Sequence, residues 1–147
     1  MEEANAALPG VRRVLAAMRR CRTEVSALEE KLHVLDALWG EAVKRAGNPD
    51  HREYLAHHRA IVGQHREMER LAREGLLRRG IRFPVGGIEH GLVDFPTTLD
   101  GRWVYLCWRE GEPEVAFWHE IDGFDRKHDE RRAFGMNENA AHRVFGG

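Results

Sequence analysis

His119 and Glu120 stand side by side in VAFWHEIDGF, Val115 to Phe124, where an apolar and aromatic run otherwise reads as a buried strand. An imidazole next to a carboxylate is the material of a divalent-metal site or of general acid/base chemistry. Asp94 in GLVDFP is a third group of that kind, and Glu89, His90 and Glu112 are further donors of suitable type. A hard or borderline ion needs three or four N and O ligands converging at about 2.0 to 2.3 Å. No spacing here specifies one: HExxH and CxxC are absent, and the Glu-x-x-His at Glu30 and His33 lacks the second copy that a di-iron bundle uses. His58 and His65 lie about 10 Å apart along a helix, too far to share an ion. The expectation is therefore a hydrogen-bonded polar junction, in which His119 and Glu120 leave the strand and meet Asn5 or Arg12 of the first helix. A divalent-metal, hydrolase-like site at Asp94, His119 and Glu120 is the alternative.

Other chemistries have weaker support. Ser26 is the only serine and falls on a helix, no GxSxG occurs, and Cys107 within a strand reads as packing. Arg12, Arg13, Arg19, Arg20, Arg78 and Arg79 gather toward one end of a helical hairpin and could hold phosphate or nucleic acid. Glu67, Glu69 and Glu74 are interspersed, however, and the formal net charge is −1, so a solvated helix face is expected and nucleic acid is not. Trp103, Tyr105, Trp108, Phe117 and Trp118 read as sheet core rather than as a ligand platform.

These side chains must be positioned by a few elements. From Val11 to Ala42, all ten a and d positions of a heptad pattern are apolar, which predicts a long helix. Pro9 suits its first turn. In GNPD, Gly47 suits a C-terminal left-handed position, Asn48 an N-cap and Pro49 the start of a second helix. That helix runs to Arg78, Arg79 and Gly80, with a stripe of Tyr54, His58, Ile61, His65, Met68, Ala72 and Leu76. GLVDFP, WVYLCW and VAFWHE then read as an antiparallel meander, its first turn at Asp100 and Gly101. A two-residue loop there places Phe95 opposite Leu106, and Asp94 near Cys107 and Tyr105 on the other face. A bulge at Gly111 decides whether His119 or Glu120 joins Asp94. The expected fold is α+β: a long antiparallel helical hairpin (9–80) capped by a three-stranded antiparallel β-meander (91–120), one domain over 1–124, with a mobile tail over 125–147.

With 42% hydrophobic and 32% charged residues in 147, the chain reads as one soluble domain, and no apolar run approaches the roughly 18 residues of a membrane span. The opening MEEANAALPG has acids where a basic leader would begin, and the two cysteines lack paired spacing, so a cytoplasmic location without a disulfide is expected. Leu15, Val34 and Leu38 flank the heptad seam, leaving more apolar surface than one partner helix covers. A homodimer through the hairpins is the simplest cover.

The segments EEANAALP, GLVDFP and VYLCWREGEPEVAFWHE, followed by GF, resemble a prokaryotic domain-of-unknown-function family. In that family an EEANALLP-like start, a helical hairpin and a GLVDFP, LCW, GE, WHE signature recur in this order. The resemblance covers the chain up to about Arg126 and maps onto Glu3, Asn5, Asp94, Cys107, Trp108, Glu112, Trp118, His119 and Glu120. It implies the fold but no activity. The expected function is thus a small cytoplasmic binding or assembly protein, with an unknown cofactor, a divalent metal being the candidate.

Overall fold

The structure, a computed structural model, describes residues 1–84, 86–120 and 142–143. Helix α1 spans Glu2–Trp39 and α2 spans His51–Gly75; strands β1 (Leu92–Leu99), β2 (Arg102–Arg109), β3 (Phe117–Glu120) and β4 (His142–Arg143) follow. The fold is α+β, a helical hairpin with an antiparallel meander. The sheet order is β1-β2-β3-β4, so the two-residue β4 adds a fourth strand to the expected three. The mobile tail expected over 125–147 otherwise lies outside the described residues, as do Ile121 to Phe124.

The chain forms two compact units, Met1–Leu15 with Glu74–Gly147, and Ala16–Arg73. The second unit holds the hairpin. Met18, Cys21, Val25, Leu28 and Leu35 are buried along α1, following the heptad seam. No residue of α2 is fully buried; the half-buried Ile61, Gln64, Glu67, Met68 and Leu71 lie on one face. The turn is built by polar groups at its base. Asn48 accepts a hydrogen bond from the Asp50 N–H at 2.9 Å, the capping role expected of it. Trp39 Nε1 donates to Asp50 at 2.7 Å.

Two helix ends differ from expectation. α1 begins at Glu2, so Pro9 lies inside it. Glu2 and Glu3 favour the earlier start, since carboxylates stabilise the positive end of the helix dipole. The left-handed residue is Gly40 (φ 52°), not Gly47, and a 3-10 turn over Gly40–Lys44 follows it. Gly80 closes the second helical segment with φ 75°, as expected.

In the first unit, Ala4, Leu8, Val11 and Leu15 of α1 pack with Leu76, Ile81, Val93, Phe95, Leu106, Trp108 and Val115. Each fully buried aliphatic side chain contributes about 1.5–3 kcal/mol, so this cluster is what holds the sheet to the start of α1. Asp100 (φ 50°) and Gly101 (φ 76°) form the tight turn that sets Leu99 opposite Arg102 and Phe95 opposite Leu106. The expected register of the first hairpin is therefore present. Gly111 (φ 102°) shapes the next connection, after which Tyr105 pairs with His119 and Val104 with Glu120.

Candidate metal centre

Alternation along the strands divides the sheet into two faces. Val93, Phe95, Leu106, Trp108 and Trp118 belong to the core face. Asp94, Cys107, Tyr105 and His119 share the opposite one, because Asp94 pairs with Cys107 and Tyr105 with His119. Three strands thus deliver a carboxylate, a thiol and an imidazole to one place. Their ligand atoms lie within 4.8 Å of one another.

Asp94 is the centre of this group. Its side chain is 4% exposed, although it leaves the face away from the core. Cys107 Sγ donates to its Oδ1 at 3.1 Å. Its Oδ2 faces His119 Nε2 at 3.6 Å and Arg82 Nη2 at 3.7 Å, and has no hydrogen-bond partner among the described residues. His119 is oriented from its other nitrogen, with Nδ1 3.0 Å from the backbone oxygen of Glu120. Its ring also lies 5.5 Å from that of Tyr105.

Arg82 covers the group from beyond β1. Its backbone pairs with Asp94 in both directions, at 3.0 and 2.8 Å, as an isolated antiparallel bridge. Directly opposed residues project to the same face, which brings the guanidinium over the Tyr105 ring at 3.8 Å.

The proposed ligands therefore separate. Asp94 and His119 come together, while Glu120 faces the other way and pairs with Arg102 at 2.9 Å. Glu89 and His90 are exposed. Glu112 shapes the second turn: its carboxylate accepts from the Arg109 N–H at 2.8 Å and its backbone oxygen from Trp108 Nε1 at 3.0 Å. Cys107, expected to be packing, is the member that sequence reasoning passed over. Its position opposite Asp94 in the first hairpin was the available signal.

A polar junction between α1 and the sheet does exist, made by other partners than His119 and Glu120. Asn5 Oδ1 accepts from the Val115 N–H at 2.7 Å. Arg12 donates to the backbone oxygens of Glu112 and Pro113, both at 3.2 Å, and lies 5.3 Å over the Trp108 ring. Glu3 instead lines a cavity of about 240 Å³ with Arg79, Ile81, Phe95 and Leu106. Of the arginines considered for anion binding, Arg12, Arg13, Arg78 and Arg79 fall in the first unit and Arg19 and Arg20 in the second. Arg12 is committed to the junction, and Arg79 lies against Gly10 of α1.

A helical hairpin joined to a small antiparallel meander, with Asp94, Cys107 and His119 on its outer face, defines the class of domain. The chain belongs to the family described as an uncharacterized conserved protein, DUF2203, whose model matches residues 1–130. No curated protein and no solved structure matches it. No helix among the described residues is long and apolar enough to cross a membrane.

Proposed function

We propose that this protein binds one borderline divalent ion, zinc above all, through Asp94, Cys107 and His119. The observation that carries this reading is the orphaned Oδ2 of Asp94, buried with no hydrogen-bond partner among the described residues. Leaving such an acceptor unsatisfied costs about 1–3 kcal/mol, more for a charged group. A cation among the three donors supplies what it lacks. The spacing agrees, since two N or O donors on a tetrahedral ion with bonds near 2.0–2.2 Å lie roughly 3.3–3.6 Å apart. His119 Nε2 and Asp94 Oδ2, at 3.6 Å, are too distant for a good hydrogen bond and well placed to share an ion.

The donor set selects among metals. A thiolate, an imidazole and a carboxylate suit zinc and disfavour magnesium or calcium, which take oxygen ligands. Metal binding deprotonates the thiol. Three protein ligands leave a fourth position for water or another ligand, the arrangement of a site that works on something rather than only bracing the fold. Glu120 is outside this set, and Cys107 takes its place. The test is metal analysis of the purified chain together with cobalt substitution. One equivalent of cobalt should give a tetrahedral visible spectrum and a thiolate charge-transfer band, both lost in Cys107→Ser. Folded protein that binds no metal would refute the reading.

A second observation favours assembly alongside metal binding. Val34 (58% exposed), Leu38 (67%) and Val62 (49%) leave apolar surface open on the hairpin, and α2 buries none of its residues completely. A second copy of the hairpin covers such a surface in a homodimer, as the apolar residues flanking the seam led us to expect. Neither Cys21 nor Cys107 is in a disulfide among the described residues, which suits the reducing cytoplasm.

A further inference from the structure

We infer that the same centre takes a small oxyanion, a carboxylate or a phosphate, held jointly by the metal's fourth position and by the guanidinium of Arg82. This rests on the metal reading above and adds the class of ligand. Arg82 is placed at the site by its two backbone hydrogen bonds with Asp94 and by its stacking on Tyr105, so its position does not depend on an ion pair. Nor does it form one of hydrogen-bonding quality. Its Nη2 stands 3.7 Å from Asp94 Oδ2, and its Nε has no hydrogen-bond partner among the described residues. The guanidinium is thus fixed beside the three donors with donor capacity unspent.

Charge decides what fills the remaining position. With Asp94 and the Cys107 thiolate neutralising a divalent ion, the charge of Arg82 is left without a counterpart at the centre. A neutral water ligand does not supply one, whereas an anion does. A carboxylate or phosphate presents two oxygens from one centre, one for the ion and one for the planar guanidinium fork, which recognises these groups by geometry as well as charge. The Arg82 side chain is 42% exposed, so a dissolved anion can reach its outer nitrogens.

The experiment uses the cobalt-loaded full chain, titrated separately with inorganic phosphate and with acetate while the visible d–d bands are followed. A saturable band shift with either anion is expected, and which anion acts assigns the tetrahedral or the planar class. Arg82→Gln should retain the cobalt spectrum and weaken the anion by about tenfold or more, as the loss of a hydrogen bond to a charged group requires. Arg82→Lys keeps the charge without the fork and should fall between the two; it also serves if Arg82→Gln does not fold. Cobalt bands that ignore both anions, or an anion response that both variants leave intact, would overturn the inference while sparing the metal site. Failure of the wild-type chain to bind cobalt at all removes both.

Discussion

Asp94 on β1 and His119 on β3 meet at 3.6 Å across β2, a strand that separates them in the sheet. Their encounter depends on two registers at once, Asp94 opposite Cys107 and His119 opposite Tyr105. A one-residue slip in either hairpin would send one of the two to the core face.

The ligands should therefore be unequal to their neighbours in metal affinity. Loss of an outer-shell partner alone typically costs about 10–100-fold, so Asp94→Asn and His119→Ala should each lose at least that much for zinc. Glu120→Gln should lose little, since its carboxylate is engaged with Arg102. Competition titration against a chromophoric chelator measures all three.

Asn5→Ala tests the junction between α1 and the sheet. It leaves the N–H of the buried Val115 without its acceptor, which should destabilise the chain by about 1–3 kcal/mol in chemical denaturation. Zinc affinity of the folded fraction should be unchanged, because Asn5 acts on the segment before β3 and not on the three donors.

The sheet was more legible in the sequence than the site was. Asp100 and Gly101 announce a turn whose backbone demands left-handed residues, and from it the pairing of Asp94 with Cys107 follows by counting. Cys107 still escaped notice as a ligand because a lone cysteine in an apolar strand is ordinarily packing. His119 and Glu120 looked equivalent as neighbours in sequence. Which of them joins Asp94 depended on the connection around Gly111, whose φ of 102° no spacing rule specifies. Arg82 reads from the sequence only as one more arginine near the sheet, not as a neighbour of Asp94. It sits in a linker, and its importance comes from a single backbone bridge to Asp94. The helix start was misplaced for a related reason: Pro9 is a strong local signal, yet the packing of Ala4 and Leu8 into the core carries the helix past it.

Gly75 should tolerate no side chain. A Cβ there would stand 2.6 Å from one methyl of Val14 and 3.1 Å from the other. Gly75→Ala should cost about 1–3 kcal/mol by overpacking, read as a lower denaturation midpoint, and Val14→Ala in the same chain should recover part of it.

The open apolar surface of the hairpin predicts self-association. Wild type should sediment as a dimer at micromolar concentration, and Leu38→Asp should sediment as a monomer with an unchanged far-ultraviolet spectrum, since Leu38 is 67% exposed within one chain. A monomeric wild type would contradict the assembly reading.

Zinc K-edge X-ray absorption on the zinc-loaded chain tests the metal site most directly. One zinc per chain is predicted, with a single sulfur scatterer at about 2.3 Å from Cys107 and the remaining ligands N or O at about 2.0–2.1 Å. A folded chain that retains no zinc, or a bound zinc whose shell contains only N and O, would contradict the site built from Asp94, Cys107 and His119.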